Sequence, residues 1–221
     1  MSPRKNSLTF TASPSTSRNI IDKFRPGALY ATPTELGVWA LLEPAGLRNH
    51  APQLCWLDEL TLACVWMAGG QEGTASMSIY GSALQSGKPS WSKPILLSQD
   101  PSRSEQNPLL FLSADGMIHL IHTAQEARSQ DDQSWQKISS TFSKQWTATL
   151  RHQSTKQWGH RWTPAEDLFE LPAFCRHPPA KAANGLWLLP IYRSLEKGGA
   201  FGHDHSLILP LDCLLYTSDA A

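Results

Sequence analysis

The sequence lacks an excess of charge of either sign, with 19 Lys and Arg residues against 19 Asp and Glu residues. A balanced charge argues against nucleic acid or an anionic membrane surface as a partner. The sequence also lacks an apolar run of about 18 residues, so it predicts no transmembrane helix. We therefore expect neither a nucleic acid nor a membrane among the partners of this chain.

The first residues lack the apolar segment that a secretory signal requires. Residues 1–19 are basic and rich in Ser and Thr, which leaves a transit peptide as an alternative to a disordered or poorly packed lead-in. The lack of a signal favours a cytoplasmic location only by default, and the sequence does not define the localisation.

Cysteines at metal-ligand spacing are lacking too, since Cys55, Cys64, Cys175 and Cys213 form no Cys-x-x-Cys pair. This spacing indicates neither a zinc site nor a disulfide framework. His203 and His205 would share one face of a strand, but no third ligand is nearby and a solvated loop is the preferred interpretation. We predict no metal and no cofactor.

Proline and glycine are abundant, with 16 and 14 residues, and they argue for many turns and against long helices. The clearest element is a hairpin in which Leu109–Leu112 and Met117–His122 flank the dipeptide Asp115-Gly116. Both turn residues tolerate the positive φ of a type I′ turn, so we predict that turn type here. A polar run, 103–107, precedes the hairpin.

This hairpin recurs along the chain. The same spacing separates Trp91 from Pro108 and Trp162 from Pro179, and each Pro opens a hairpin. The hairpin after Pro52 has the same form. About three copies of a four-strand unit of roughly 55–70 residues indicate an all-β fold, a β-propeller, with a β-sandwich as the alternative.

The organisation predicted from these repeats has three parts. Residues 1–45 form a partly disordered lead-in with one strand in 36–42, and 46–212 form the blades. Within the blades, 125–137 is polar and is expected to be a surface insertion. The last nine residues, 213–221, resemble a translated adapter and are expected to be a non-native tail.

Several motifs resemble one family: His50-Ala51-Pro52, Trp66 to Gly73, Trp91-Ser92-Lys93-Pro94, Ser104 to Pro108, Arg176-His177-Pro178-Pro179 and Leu188 to Tyr192. In this order they resemble the bacterial sialidase-like proteins with BNR (Asp-box) repeats, also called predicted neuraminidases. The resemblance covers about 48–210 and implies a six-bladed β-propeller. This chain would be its first half, and the rest of the propeller would be needed for closure.

The sequence departs from that family at the Asp boxes, which read S-x-D-x-G-x-T-W. The segment from Ser82 to Trp91 is stretched and lacks the Asp, and Lys156 stands where the Asp would fall before Trp162. The family commonly has an acid shortly after the Glu-Gly pair, where this chain has Ser76. These differences argue against an acid/base role at these positions.

The resemblance implies a glycoside hydrolase that acts from the end of a glycan on a terminal sugar, an acidic sugar among the candidates. Its tyrosine nucleophile and some arginines would lie outside this chain, so the fragment itself is expected to be inactive and poorly soluble. The competing function is a non-catalytic carbohydrate-binding or scaffold propeller. In either case a carbohydrate is the expected partner.

Candidate site residues come mainly from the segments just before each blade's first strand, which tend to face the central pocket. Glu72 and Arg176 are candidates for catalysis, and the substrate-binding candidates are His50, Glu72, Arg103, Gln106, Asn107, His122, Arg176 and His177. Each has a structural alternative: a salt bridge for Arg176, a turn cap for Glu72, backbone capping for the amides and a hydrogen-bonded core position for the histidines. Tyr192 is either pocket-lining or core.

Overall fold

The computed structural model describes residues 24–32, 34, 36–128, 145–195 and 204–211. Predictions for 1–23, for most of the 125–137 insertion, for His203 and for the 213–221 tail lie outside these residues. The described residues form a short 3₁₀ helix, Gln145–Thr147, and the following strands: β1 (Leu29–Ala31), β2 (Val38–Ala40), β3 (Arg48–Trp56), β4 (Thr61–Gly69), β5 (Ser78–Gln85), β6 (Ile95–Ser98), β7 (Arg103–Leu112), β8 (Ile118–Glu126), β9 (Thr149–Thr155), β10 (Glu166–Asp167), β11 (Phe174–Cys175), β12 (Ala180–Lys181), β13 (Trp187–Arg193) and β14 (His205–Pro210).

The strands form three antiparallel sheets and a small N-terminal hairpin. Blade 1 has the order β3-β4-β5-β6, and blade 2 has the order β7-β8-β9-β10. In blade 3, β11 and β12 pair in succession with one side of β13, and β14 pairs with its other side. The predicted repeat of a blade is thus confirmed, and the three sheets do not close a ring. The N-terminal hairpin pairs β1 with β2, a strand within the predicted 36–42.

The central strands are buried on both faces because each blade is covered by neighbours. In β4 the six residues from Ala63 to Ala68 are all buried, and in β8 every residue except Glu126 is buried. The β4 run is apolar, as expected for a strand with two covered faces. The β8 run contains His119, His122 and Thr123, so these polar groups need partners inside the protein.

The blades pack through two apolar clusters. The face of blade 1 that carries Met67 and Ile79 packs against Leu110 and Leu120 of blade 2. The opposite face of blade 2, with Ile121 and Leu150, packs against Cys175, Leu189 and Ile191 of blade 3. The other face of blade 1 borders a groove of about 1070 Å³, where Leu54 and Trp56 remain half exposed.

The first strand of each blade is interrupted at its proline. The register of β3 against β4 shifts between His50 and Gln53, and that of β7 against β8 shifts between Gln106 and Leu109. The residue before each proline has a positive φ, 55° at Ala51 and 49° at Asn107. These are β-bulges, in which an extra residue bends the strand and redirects its side chains.

The bulges place the predicted site segments inside strands. His50 and 103–107 were expected just before the first strands, but they belong to β3 and β7. A proline lacks the N–H that a ladder needs, which made each proline look like the start of a strand. The bulge accommodates the proline, so the first strand continues to pair with the second strand on the N-terminal side of the proline.

The Asp115-Gly116 hairpin is confirmed, but its predicted turn type is wrong. Only Gly116 has a positive φ, 81°, and the Gly116 N–H donates to the Ser113 carbonyl oxygen at 3.0 Å. This is a type I turn closed by a left-handed glycine. The Asp115 carboxylate accepts hydrogen bonds from Ser113 Oγ and the Met117 N–H, which holds Asp115 outside the left-handed region. Within the described residues no helix is long and apolar enough to span a membrane.

Candidate functional site

The three first strands begin at the same end of their blades, which we call the entry end. At this end the start of β3 pairs with the end of β4, the start of β7 with the end of β8, and β11 with the end of β13. The opposite end, which we call the hairpin end, holds the turns that join these strand pairs. Polar residues at the start of successive first strands therefore lie on one side of the protein.

Two contacts connect β7 to the neighbouring blades at the level of its bulge. The Asn107 N–H points to Met67 Sδ at 3.5 Å, and Met67 is the register partner of His50. The Asn107 carbonyl oxygen accepts a hydrogen bond from Cys175 Sγ, also at 3.5 Å. Burial raises the pKa of the Cys175 thiol to about 12, so the sulfur keeps its proton and can donate. His50, Asn107 and Arg176 are thereby placed on three neighbouring strands.

Glu72 is held beside His50 by a rigid loop. Glu72 Oε2 lies 3.9 Å from His50 Nδ1, and both side chains are about half exposed, 54% and 41%. The loop is fixed because the Gly73 N–H donates to Ser104 Oγ and the Arg128 N–H donates to the Gly73 carbonyl oxygen. The Arg128 guanidinium donates to the Glu72 carbonyl oxygen.

Gly73 is required for that loop. Its φ is 84°, in the left-handed region that glycine adopts without strain. A Cβ added there would also meet the Arg128 guanidinium, which would have to move. The Glu-Gly pair singled out in the sequence thus has a structural reason, which is to turn the chain so that the Glu72 carboxylate faces solvent next to β3.

Asn107 is partly exposed, and its side chain forms no hydrogen bond with the described residues. Asparagine tolerates the left-handed region better than most residues, which suits the bulge. Its neighbour Gln106 is buried, and Gln106 Nε2 donates to Ser104 Oγ at 3.0 Å. The bulge therefore leaves the Asn107 side chain partly exposed to solvent, while Gln106 supports the strand beneath it.

Arg176 is exposed at the end of β11 and lies over the ring of Tyr192, with 5.9 Å between the guanidinium carbon and the ring centroid. Tyr192 also stacks on Phe174 at 5.0 Å. Burial raises the pKa of Tyr192 despite the neighbouring Arg176, so the phenol stays neutral. His177 is exposed beside Arg176. The cation–π contact with the Tyr192 ring orients the Arg176 guanidinium.

Arg103 and His122 are occupied in the fold. Arg103 Nη1 donates to the carbonyl oxygens of Ala124 and Thr147 at 3.0 and 3.2 Å, which ties β7 to the end of blade 2. The His122 side chain is fully buried, and His122 Nε2 lies 3.1 Å from Glu105 Oε1. The structure places His122 in the hydrogen-bonded core position that the sequence left as the alternative.

The sequence did not single out the buried polar network around Glu105. Glu105 is fully buried and accepts a hydrogen bond from Ser98 Oγ at 2.8 Å. Arg151 Nη1 lies 3.9 Å from Glu105 and 2.7 Å from Asp100 Oδ2, so the network joins blade 1 to blade 2. The only sign of this network in the sequence was a carboxylate at a position of β7 that faces the interior. The partners of Glu105 are distant in the sequence, so a local pattern does not reveal them.

Asp100 is ionised within this network. Partial burial opposes its ionisation, but hydrogen bonds from Ser102 and Arg151 outweigh burial and lower the pKa of Asp100 to about 2. The Arg151 side chain is only 18% exposed and also donates from Nε to Asp167. The network supports the first strands and does not contact the exposed candidates directly.

A family model described as a BNR repeat-like domain matches residues 60–209. The match covers more than half of the chain, so the chain belongs to the BNR repeat-like family. No curated protein matches the sequence. The fold and the family together define a sialidase-like β-propeller, of which this chain contains three blades.

Solved structures of the same fold include carbohydrate-active enzymes. The Hadza microbial sialidase Hz136 is 10% identical with a TM-score of 0.55, and the match covers 74% of this chain and 35% of that one. A Trypanosoma rangeli sialidase in complex with sialic acid is 8% identical with a TM-score of 0.53, over 96% and 35% of the two chains. A thermostable family-43 glycoside hydrolase is 10% identical with a TM-score of 0.52, over 74% and 55%.

This chain therefore spans between about a third and just over half of the length of these structures. Its own entry end offers a carboxylate, an imidazole, an amide and a guanidinium, on the first strands of three neighbouring blades and on the segments next to them. Such groups can bind hydroxyl and carboxylate oxygens through charge-assisted hydrogen bonds. Among the described residues, no cluster of three His, Cys, Asp or Glu side chains could hold a metal ion.

Proposed function

We propose that the whole protein is a sialidase-like glycoside hydrolase that releases a terminal sugar, and that an acidic sugar is the substrate class to test first. The observation that carries the proposal is the arc of His50, Asn107 and Arg176 on adjacent first strands, with Glu72 3.9 Å from His50. Support comes from the glycoside hydrolases with the same fold. In this proposal the present chain contributes one wall of the central pocket.

Arg176 is the residue we assign to the carboxylate of the sugar. A guanidinium matches a carboxylate with two parallel hydrogen bonds. Contact with the Tyr192 ring already restricts the Arg176 side chain, so the arginine loses less conformational entropy when it binds. Asn107 and His177 are assigned to hydroxyl groups, since both are accessible next to it. This assignment makes Arg176 a binding residue rather than the nucleophile.

Glu72 and His50 are assigned to orientation of the sugar. Sialidases depart from the usual pair of catalytic carboxylates, so a single exposed glutamate on this wall is compatible with the proposed reaction. The remaining catalytic groups, a tyrosine nucleophile above all, are proposed to come from further blades. These blades would also cover the groove beside Leu54 and Trp56.

A second candidate function is a propeller that binds carbohydrate without hydrolysing it. The position where the related family commonly has an acid is Ser76, and Ser76 Oγ hydrogen-bonds to the Gly70 N–H and to Thr74 Oγ1. A serine committed to the loop cannot act as an acid or base. This observation favours the binding function if the further blades also lack catalytic groups.

The test uses the complete reading frame, expressed and assayed on fluorogenic glycosides of N-acetylneuraminic acid, xylose and arabinofuranose. We expect turnover of the acidic glycoside. The variant Arg176→Ala should raise KM about tenfold or more with a smaller effect on kcat, because a lost charge-assisted contact weakens ground-state binding. Glu72→Gln should reduce kcat/KM.

Matched controls are Arg161→Ala and Glu59→Gln, which change exposed residues of the same types away from the entry end. Both should leave the kinetics unchanged. Binding of the sugars without turnover of any glycoside would replace the hydrolase by the binding function. Neither binding nor turnover, or equal effects of Arg176→Ala and Arg161→Ala, would contradict both.

A further inference from the structure

A second cleft lies at the hairpin end, opposite to the site described above. It has a volume of about 600 Å³ and lies between the turns of blade 1 and blade 2. The residues that line it include Trp91 and Trp158, which also pack against apolar clusters of blade 1, and Lys88 and Lys156. Lys88 and Trp91 also border the groove on the other face of blade 1. The walls also include Asp58, Gln85 and Gln157.

The loop on the blade 1 side of the cleft is held by its own hydrogen bonds. The Lys88 N–H donates to the Gln85 carbonyl oxygen at 3.0 Å, and the Trp91 N–H donates to the Gly27 carbonyl oxygen at 3.0 Å. Ser92 Oγ accepts a hydrogen bond from the Ala83 N–H at 3.0 Å. Lys88 and Trp91 therefore project from a fixed backbone.

The loop on the blade 2 side is fixed as well. The Gln157 N–H donates to Thr155 Oγ1 at 3.3 Å, and Thr155 Oγ1 itself donates to the Arg161 carbonyl oxygen at 3.1 Å. Trp158 packs against Gly81, where an added Cβ would lie 2.6 Å from the indole. The tryptophan is thus placed by a close approach that only glycine permits, and it remains partly exposed at the cleft.

The polar groups of the cleft are largely unused within the protein. Among the described residues, Lys88 and Lys156 form no ion pair, and the side chains of Gln85 and Gln157 form no hydrogen bond. The single carboxylate of the lining, Asp58, is a turn cap, because Asp58 Oδ1 accepts the Leu60 N–H at 2.7 Å. The cleft therefore has a net positive charge and free donors and acceptors.

We propose that this cleft is a second saccharide-binding site, specific for acidic glycans and separate from the entry end. Indole rings bind the apolar faces of sugar rings, the lysines bind carboxylate or sulfate groups, and the amides bind hydroxyl groups. Two lysines with one nearby carboxylate are too few for tight binding of a nucleic acid backbone. This proposal is independent of the proposed function, because it requires no catalysis and no residue of the entry end.

The test is calorimetric or NMR titration of the protein expressed from the complete reading frame with three probes. These are a hyaluronan hexasaccharide, the neutral chitohexaose and linear polyphosphate. We expect the acidic hexasaccharide to bind about tenfold more tightly than the neutral one. In the NMR titration, the Trp91 and Trp158 indole signals should shift.

The double variant Lys88→Ala/Lys156→Ala should weaken binding of the acidic hexasaccharide about tenfold, and Gln157→Ala should weaken it less. The matched control is Lys93→Ala/Lys181→Ala, which removes the same charge from two exposed lysines outside the cleft and should change affinity less than about twofold. All of these changes are on the surface, so the variants should fold.

Three results would overturn the proposal. One is no binding of either hexasaccharide, and another is equal binding of the neutral and the acidic probe. The third is polyphosphate binding as tight as that of the acidic sugar with an equal loss in the double variant, which would mean a simple anion-binding patch. An effect of the control as large as that of the cleft variant would place the binding elsewhere.

Discussion

The two interfaces between blades differ in what they bury. Between blade 1 and blade 2, Glu105 and His122 are fully buried, with Arg151 linking them to Asp100. Between blade 2 and blade 3, the contact consists mainly of apolar side chains such as Leu150 and Leu189. A histidine pair, His119 and His152, is half-buried on the blade 3 face of blade 2. Blade 2 thus buries a polar network beside the apolar cluster on its blade 1 face, and mainly apolar side chains on its blade 3 face.

The difference in buried polar groups indicates how the order of the repeated blades is specified. Apolar contacts are non-directional, so they stabilise a pair of blades without specifying one partner. A buried charge without its partner is costly, so the polar interface favours the one arrangement in which Ser98 and Asp100 meet Glu105 and Arg151. The interface between blade 1 and blade 2 is therefore the less adjustable of the two. It lies next to the Glu72 loop, whose Gly73 N–H donates to Ser104 Oγ of β7.

Removing Glu105 should have the largest effect. The variant Glu105→Ala removes the fully buried carboxylate that His122 Nε2 and Ser98 Oγ contact, while Arg151 keeps its ion pairs with Asp100 and Asp167. Because it breaks the buried Glu105–His122 pair, we expect a loss of about 3–5 kcal/mol in the free energy of unfolding, measured by urea denaturation. Glu59→Ala, at an exposed turn, should cost less than about 0.5 kcal/mol. A loss below about 1 kcal/mol for Glu105→Ala would contradict the importance of the network.

The apolar contributions of the two interfaces can be compared with Leu120→Ala and Leu150→Ala, which remove fully buried leucines from opposite faces of blade 2. Each should cost about 3 kcal/mol, because each removes buried methyl groups and leaves a cavity. Hydrogen exchange should show which blades open. Loss of protection confined to blade 3 in Leu150→Ala would mean that the apolar interface opens independently.

Acid should weaken the protein through the histidine pair. Burial, with smaller contributions from His119 and His122, lowers the pKa of His152 to about 4, whereas an unfolded histidine has a pKa near 6.5. Between these values the unfolded chain binds more protons than the native one, so this contribution to stability is present above pH 6.5 and is lost as the pH falls towards 4. Urea midpoints at several pH values measure it.

His152→Gln should flatten that pH dependence, and His160→Gln, at an exposed position, should not. Asp100 does not contribute in this window, because its lowered pKa affects stability only at more acidic pH. An unchanged pH profile in His152→Gln would assign the acid sensitivity to other groups.

The smallest effect is expected at the rim of the polar network. Asp167 receives a hydrogen bond from Arg151 Nε at 3.0 Å, but its side chain is 48% exposed. Asp167→Asn should therefore cost less than about 1 kcal/mol, and added salt should reduce the difference. A cost similar to that of Glu105→Ala would mean that the exposed pair is as important as the buried one.

The strand order was predictable because it depends on local signals. Apolar runs such as Leu109–Leu112, glycine turns and the repeated prolines each define an element within a few residues. The resemblance added the arrangement of the blades. Glu72 and Arg176 could be singled out in the same way, since their neighbours Gly73 and Pro178 mark the loops that present them.

The polar start of β7 was not predictable from local pattern. Ser104, Glu105 and Gln106 look like a solvated loop, yet all three are buried. The Oε1 atom of Glu105 contacts Ser98 and His122, which the fold brings to it from other strands, and its Oε2 atom is buried without a hydrogen-bond partner among the described residues. The turn at Asp115 was also wrong in type, because a side-chain hydrogen bond to Ser113 decided its backbone conformation.

The prolines in the first strands also affect how the protein meets other chains. Each first strand has a neighbour on one side only, so its second edge could accept an added strand. Pro52 and Pro108 have no N–H to offer, and the Gln53 amide occupies both the N–H and the carbonyl oxygen of Leu110 at 2.8 and 3.1 Å. An extended peptide therefore finds no continuous ladder of donors and acceptors along these strands, which disfavours self-association through their free edges.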